Sequence, residues 1–206
     1  MNNKKTIVTI SGAIGVGKTE VLKHLQNIGY DLIPSVGKSG TAGIINNIQL
    51  NGPATENDVL TDQHWMIADR LINYRYAVRL NKNVLMDRGF IDALVFTHFK
   101  LHYPKNFELL DYYKPMVNEL FQYENVDHLF INLTAKKEVI YERIAKRSVL
   151  NEAEIFNTRQ LTDCFSIFYG EVCKYYGITY VEVLADGTPE ATAEKIKNIL
   201  GLQNEL

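Results

Sequence analysis

A glycine-rich stretch near the amino terminus, SGAIGVGKTE over residues 11–20, constrains the fold more than any other feature of the sequence. It fits the pattern G-x-x-x-x-G-K-[ST], with Gly12 and Gly17 as the two glycines and Lys18 and Thr19 closing it. A β-branched run precedes it and an amphipathic helical pattern follows, which predicts a loop between a buried strand and a helix. Such a loop turns backbone N–H groups inward at a helix N-terminus, and therefore suits a phosphate group. An ordinary glycine-rich turn is the alternative, and the complete match disfavours it.

The predicted phosphate-binding loop is formed by consecutive residues: Gly12, Ala13, Ile14, Gly15, Val16, Gly17, Lys18 and Thr19. Lys18 is predicted to reach the β- and γ-phosphates of a nucleotide, and the Thr19 hydroxyl to ligate Mg²⁺. The motif indicates nucleotide binding without indicating which reaction follows.

The rest of the chain alternates apolar runs of strand length with longer helical patterns, and shows no internal repeat. Strands are predicted at residues 6–10, 31–33, 83–86, 128–133 and 178–183. Helices are predicted at residues 18–28, 58–80, 90–102, 107–123, 135–147 and 189–200, with a further helix ending at 176. The glycine-rich residues 35–57 are predicted to be mainly loop. This alternation predicts an α/β fold in which a parallel sheet is covered on both faces, with ligands at the carboxyl ends of its strands.

Composition limits the classes of partner. The chain has 206 residues and a formal net charge of −2, so it suits a single domain without a general attraction to nucleic acid or acidic membranes. No apolar stretch reaches the roughly 18 residues of a membrane-spanning helix. Cys164 and Cys173 are predicted to be buried apolar residues in a helix, not a disulfide framework. We therefore expect a cytoplasmic protein with no nucleic-acid or membrane partner.

A carboxylate follows the third predicted strand. In NVLMDRG, residues 83–89, Asp87 ends the apolar run and Arg88 comes next. Asp87 is placed to hold Mg²⁺ together with the threonine of the loop, and Arg88 to face an acceptor. The alternative is that Asp87 caps a helix and Arg88 is solvated.

One face of the long helix at residues 58–80 carries polar groups among apolar ones. Gln63, Ile67, Arg70 and Tyr74 follow at intervals of four, three and four, and so share one side. This face could contact a base and an anionic group, or it could be a solvent-exposed stripe. Trp65 and Tyr76 point elsewhere and are predicted to lie in the core.

Two arginines lie one helical turn apart near the end of another helix. Arg143 and Arg147 flank Lys146, and a polar stretch ending at Glu152 follows. Clustered arginines suit a lid over transferring phosphates, because the planar guanidinium group grips phosphate in a bidentate manner. A solvated basic face is the alternative.

Four segments together resemble the thymidylate kinase and deoxynucleoside kinase group of P-loop kinases. These are GAIGVGKT at 12–19, IADR at 67–70, MDRG at 86–89 and ERIAKRSVLNE at 142–152. The resemblance implies a P-loop NTPase three-layer sandwich with a five-stranded parallel sheet, in one domain over residues 1–206. It also implies a small helical lid at approximately 143–155. The implied phosphoryl donor is ATP with Mg²⁺, and the implied acceptor is a nucleoside or a nucleoside monophosphate. By analogy with dimeric relatives, it further implies a homodimer.

The resemblance carries roles onto the matching positions. It assigns Mg²⁺ handling to Thr19 and Asp87, and binding of the 5′ end of the acceptor to Arg88. Catalysis is assigned to Lys18 together with Asp87 and Arg88.

Further roles come from the same resemblance. It assigns contact with the acceptor to Gln63 and Arg70, and catalytic lid contacts to Arg143 and Arg147. Glu152 matches a ligand of the sugar hydroxyl in deoxynucleoside kinases.

The sequence departs from the group at two places. Ile33 precedes Pro34 where both branches usually have a glutamate, which in nucleoside kinases is the general base for the 5′-hydroxyl. A phosphate acceptor is already an anion and needs no such base, so the departure favours a monophosphate acceptor. DRGFIDAL, at residues 87–94, is not the usual thymidylate kinase continuation, and with GYDLIP it is also similar to P-loop ATPase relatives of these kinases.

Three functions follow as hypotheses. The first is a kinase that phosphorylates a nucleoside monophosphate. The second is a kinase for a nucleoside or another small molecule, with Asp87 or another acid as the base. The third is an NTPase that switches partners on hydrolysis.

Overall fold

The computed structural model describes residues 4–26, 28–34, 56–100, 108–122, 125–146 and 152–202. The strands are β1 (Lys5–Gly12), β2 (Asp31–Ile33), β3 (Val84–Asp87), β4 (Val126–Thr134) and β5 (Tyr180–Leu184). The helices are α1 (Lys18–Leu25), α2 (Glu56–Arg79), α3 (Phe90–Lys100), α4 (Glu108–Leu120), α5 (Lys137–Ala145), α6 (Glu152–Tyr175) and α7 (Pro189–Ile199).

The strands form one five-stranded sheet in the order β2-β3-β1-β4-β5. Every neighbouring pair is parallel, with Ile10 of β1 opposite Asp87 of β3 and Gly12 opposite Leu133 of β4. The predicted parallel α/β sandwich is therefore confirmed. Because β1 is central, the loop that follows it opens between the carboxyl ends of β3 and β4.

Two hydrophobic clusters cover the two faces of the sheet. On β1, Ile7 belongs to the cluster packed under α2, α3, α4 and α6, whereas Val8 and Ile10 belong to the cluster under α1 and α7. Strands buried on both faces read as continuous apolar runs, which is why the β-branched segment IVTI could be recognised as a strand. The sheet thus forms the middle layer of three.

The first residue of β1 also fixes the end of α2. The Lys5 ammonium donates a 3.3 Å hydrogen bond to the Ala77 carbonyl and further hydrogen bonds to the carbonyls of Val78 and Leu80. The Ala77 and Val78 carbonyls lie in the last turn of α2 and the Leu80 carbonyl lies just beyond it, where carbonyls lack most of the amide partners of a helix interior. The lysine therefore caps α2 and anchors it to the central strand.

Most predicted elements are confirmed, with boundaries that shift by a few residues. β4 begins at Val126, earlier than predicted, because Val126 pairs with Lys5. α2 begins at Glu56, and the remainder of the predicted loop, residues 35–55, lies outside the described residues. Among the described residues, no helix combines the length and the apolar character needed to cross a bilayer.

The burial predictions have mixed outcomes. Cys164 and Cys173 are free and buried, as predicted, and burial raises the pKa of each thiol to about 12. The prediction that Trp65 and Tyr76 lie in the core is wrong: they are 55% and 56% exposed. α2 turns the opposite side toward the core, so these two aromatic rings face outward.

Candidate functional site

The loop after β1 has the backbone that the glycine pattern predicts. Gly15 has φ +88°, and a Cβ atom there would lie 2.8 Å from Ile144 Cγ1 of α5. Gly17 has φ +104° and precedes α1 without any side-chain cap. The N-terminus of α1 is therefore open to an anion held in the loop.

Lys18 is folded onto this loop. Its side chain is 7% exposed, and its ammonium donates hydrogen bonds of 2.6 Å to the Gly12 carbonyl and 3.0 Å to the Ala13 carbonyl. The fixed positive charge therefore lies within the loop and is held there by backbone oxygens. Phosphate oxygens would compete with these carbonyls for the same ammonium.

The predicted donor-side residues share one cavity of about 270 Å³. It is lined by Ile14, Gly15, Gly17, Lys18, Thr19, Glu20, Asp87 and Arg88. Asp87 lies in this cavity because it is the last residue of β3 and pairs with Ile10 of β1. Ile10 is two residues before Gly12, where the loop begins. A hydroxyl and a carboxylate on one cavity wall are hard oxygen ligands, so Thr19 and Asp87 fit a magnesium ion that also binds phosphates.

Arg88 is held by its backbone and by its guanidinium group. Its φ is +66°, and its N–H donates to the Ile10 carbonyl at 3.0 Å. Its Nη1 donates to the Gly12 carbonyl at 3.2 Å and to Asp92 Oδ1 at 3.1 Å, and the guanidinium lies 5.2 Å from the centre of the Phe96 ring. The alternative in which Arg88 is solvated is therefore wrong.

Arg70 lies beneath the end of β3. It is 3% exposed, and its Nη1 donates to the Asp87 carbonyl at 3.3 Å. Burial lowers the pKa of Arg70, Asp92 opposes this, and the nearby Arg88 lowers the pKa further. Ile67 and Tyr74 on the same helix face are also buried, so the solvent-exposed stripe considered for this face is wrong. Gln63 belongs to α2, and its side chain is outside the described residues.

Arg143 lies against the back of the phosphate-binding loop. It donates to the Val16 carbonyl at 2.9 Å, and to the Ala185 and Gly187 carbonyls at 3.1 and 3.3 Å. These contacts exclude the solvated basic face as its environment. Arg143 belongs to α5, and it borders a second cavity of about 320 Å³. That cavity is lined by Gly15, Val16, Gly17, Glu20, Val21, Arg143, Ala185, Gly187, Pro189 and Thr192.

The remaining predicted lid residues are only partly described. Arg147 lies outside the described residues, and Glu152 is the first residue of α6, with a side chain that is not described. The ends of the predicted lid, residues 143–145 and 152–155, belong to α5 and α6. The lid and the roles of these residues stay predictions.

The sequence was compared with models of known protein families and with curated proteins. The sequence matches the AAA domain family over residues 7–186, which covers most of the chain. The chain belongs to this family. No curated protein sequence matches it.

Solved structures resemble this AAA domain over nearly its full length. Deoxyadenosine kinase from M. mycoides with bound dATP has a TM-score of 0.67 and 20% identity, covering 95% of this chain and 99% of that chain. The same kinase with the products dCMP and a flexible dCDP bound has a TM-score of 0.65 and 19% identity, covering 95% and 98%. The predicted resemblance to the P-loop nucleoside and nucleotide kinase group is thus confirmed for the fold.

Two residues of the AAA domain site were missed by sequence reasoning. Asp92, 1% exposed, binds Arg88, and Thr162 of α6 donates to the Ile14 carbonyl at 3.0 Å. The acid four residues after Arg88 on a predicted helix was a usable signal for Asp92. Thr162 carries no local signal, because its contact with the loop bridges two distant parts of the chain.

Proposed function

We propose that the chain is an ATP- and Mg²⁺-dependent kinase that transfers the γ-phosphoryl group to a nucleoside monophosphate, as thymidylate kinases do. The observation that carries the proposal is the convergence of Lys18, Thr19, Asp87 and Arg88 on one cavity beside the loop. Donor-side and acceptor-side groups then meet within the reach of one phosphoryl transfer. In such reactions, positioning and charge neutralisation supply most of the catalysis.

The donor site is formed by the loop and its two cavities. The triphosphate lies along residues 12–19, with Lys18 on the β- and γ-phosphates. Thr19 and Asp87 would hold Mg²⁺, which would supply positive charge to neutralise the phosphates. The base occupies the 320 Å³ cavity between the loop, Arg143 and the turn after β5. The dATP and dCTP bound to the structurally similar deoxyadenosine kinase support a nucleotide of this size.

Arg70 supports an anionic acceptor. Among the described residues, its guanidinium forms no ion pair, and its single hydrogen bond goes to a backbone carbonyl. Nearby carboxylates only partly offset the cost of burying this guanidinium, and an incoming phosphate group would pair with it directly. The missing glutamate at Ile33 favours the same acceptor, because a phosphate oxygen needs no general base. Gln63 contacts the base of this acceptor.

A deoxynucleoside acceptor is the second candidate. The similarity to deoxyadenosine kinase favours it. In that case Asp87, or another acid, takes the proton of the 5′-hydroxyl, and Glu152 contacts the sugar. The two candidates differ in whether Arg70 binds the acceptor.

A screen of ADP release tests the proposal. Deoxynucleosides, ribonucleosides and their monophosphates are assayed side by side with ATP and Mg²⁺, with Lys18→Ala as the blank. We expect turnover with a monophosphate and none with the matching nucleoside. Turnover of nucleosides alone would select the second candidate, whereas equal ADP release without any acceptor would remove the kinase and favour a partner-switching NTPase.

The predicted homodimer is also part of this proposal. α2 carries three large apolar residues on its outer side, Trp65, Ile72 and Tyr76, each more than half exposed. A second copy of the chain could cover them. Light scattering measures the mass directly, and a monomer at all concentrations would contradict the dimer.

A further inference from the structure

We infer that Asp92 is a positioning residue that sets the Arg88 guanidinium to receive the phosphate group of the acceptor. This inference rests on the proposed function and names a residue that the sequence did not suggest. The observation that supports the inference is the set of hydrogen bonds around the buried Asp92 carboxylate, between β1 and α3.

Both oxygens of this carboxylate are used. Oδ2 accepts from Ser11 Oγ at 2.6 Å and from the Gly89 N–H at 3.0 Å, and Oδ1 accepts from Arg88 Nη1 at 3.1 Å. Ser11 belongs to the strand that leads into the phosphate-binding loop, and Gly89 directly precedes α3. The carboxylate is therefore fixed from two directions before it meets the arginine.

The contacts of Arg88 leave one side of its guanidinium for a ligand. Among the described residues, all its side-chain hydrogen bonds come from Nη1, which reaches Asp92 and the Gly12 carbonyl. Arg88 also lines the cavity that holds Lys18 and Asp87. The Nε and Nη2 donors thus remain for the bidentate grip that guanidinium groups make on phosphate.

The negative charge of Asp92, as well as its shape, helps to hold Arg88 in position. Arg88 lies close enough to the buried Arg70 to lower its pKa, and Asp92 opposes this effect. A neutral residue at position 92 would remove the ion-pair partner of Arg88 and the largest coulombic attraction that acts on Arg70, and would leave the repulsion between the two arginines. Arg88 would then move away from its position beside the loop.

Asp92→Asn tests the inference, because it keeps the shape and an acceptor for the Gly89 N–H. The assay uses the deoxynucleoside monophosphate with the highest kcat/KM in the screen. We expect the acceptor KM to rise roughly tenfold, as for loss of a charged hydrogen bond, with the KM for ATP nearly unchanged. Asp163→Asn is the matched control, since Asp163 binds Lys137 and Tyr141 instead. It should leave both KM values unchanged.

A double-mutant cycle separates positioning from a purely structural role. In an Arg88→Ala background, Asp92→Asn should add little to the acceptor KM, because the group it positions is gone. Additive effects of the two substitutions would overturn the inference, as would an unchanged acceptor KM in folded Asp92→Asn.

A third variant keeps the test valid if Asp92→Asn fails to fold. Ser11→Ala removes one hydrogen bond from the carboxylate and keeps its charge. We expect a smaller rise in acceptor KM, roughly threefold, because the carboxylate keeps its hydrogen bonds to the Gly89 N–H and to Arg88. An unchanged KM would contradict the inference. Absence of any acceptor turnover by the unaltered protein would instead reject the proposed function.

Discussion

Arg70 is the side chain whose environment departs most from the usual rule for charges. It is 3% exposed and, among the described residues, lacks an ion-pair partner. Buried charges are normally paired, because desolvation costs several kcal/mol per ion. A position that lowers stability in this way is typical of a site that is completed by its ligand.

Arg70→Met should therefore separate stability from activity. We expect the free energy of unfolding to stay equal or rise by about 1 kcal/mol, since an apolar side chain replaces a guanidinium whose desolvation outweighs its attraction to nearby carboxylates. The KM for the monophosphate should rise at least about tenfold, as for loss of a charge-assisted hydrogen bond. Urea unfolding and steady-state kinetics measure the two quantities.

A neighbour on the same helix provides the control for this variant. Arg75 is half exposed and pairs with Glu119 at 2.9 Å. Arg75→Met should change stability by less than about 1 kcal/mol, as is usual for surface ion pairs, and leave the acceptor KM unchanged. An equal loss of activity in both variants would contradict the role of Arg70.

Gly15 offers a second test on a single position. In Gly15→Ala, the added Cβ atom sits on a left-handed backbone and lies 2.8 Å from Ile144. Gly29→Ala is the control, because Gly29 has a similar φ of +79° but open space around the added Cβ atom. Both substitutions should cost about 1 kcal/mol in backbone strain. Only Gly15→Ala should also weaken ATP binding, measured by calorimetry, because the loop must move away from α5. Equal ATP affinity in both variants would show that the loop tolerates the side chain.

The elements illustrate what sequence periodicity can and cannot specify. Apolar spacing located α2 to within a few residues, because the period of a helix is encoded locally. It failed for Trp65 and Tyr76, since large aromatic residues were assumed to be internal although they lie opposite the buried stripe. The cap that Lys5 provides to α2 could not be predicted, because it joins residues more than seventy positions apart.

Lys5→Met tests this cap. The substitution keeps the aliphatic stem but removes the hydrogen bonds to the last carbonyls of α2. We expect a loss of about 1–2 kcal/mol in the free energy of unfolding, with KM for ATP unchanged. Chemical denaturation provides the measurement, and Lys4→Met, which alters a surface pair with Asp127, provides the control. Equal stability of the two variants would contradict a capping role.

At the scale of the whole molecule, a half-buried histidine beside the larger core makes stability depend on pH. His128 of β4 stacks on Tyr74 with ring centres 5.5 Å apart, and its Nδ1 is hydrogen bonded to the Tyr74 hydroxyl. Burial lowers the pKa of His128 below its ordinary 6.5, although Asp127 opposes this. The unfolded chain therefore binds a proton at a higher pH than the folded chain does, and stability is lost as the pH falls below about 6.5.

Unfolding at several pH values tests this dependence. The free energy of unfolding should fall from pH 7.5 to 5.5 with a contribution from His128 of up to about 1.4 kcal/mol per pH unit. His128→Phe, which keeps a ring against Tyr74, should show a smaller slope over this range. Parallel curves for the two proteins would exclude His128 as the source.

The sequence predicted more of the donor side than of the rest of the site. Lys18, Thr19 and Asp87 could be located because each follows a strand that ends at the same edge of the sheet. The hydrogen bonds of Asp92 to Ser11 and of Arg143 to Ala185 could not, because they depend on how distant segments approach one another. Local patterns thus located the residues that line the cavity beside the loop, while three-dimensional packing determined the supporting contacts.

The Gly12 carbonyl oxygen accepts from Lys18 at 2.6 Å and from Arg88 at 3.2 Å. If an incoming triphosphate drew the ammonium away, Arg88 would still donate to that oxygen. Binding of a nucleotide would therefore not leave the Gly12 carbonyl without a donor, which would avoid a penalty of about 1–3 kcal/mol. Arg88, which is proposed to bind the acceptor, would in this way also favour binding of the nucleotide.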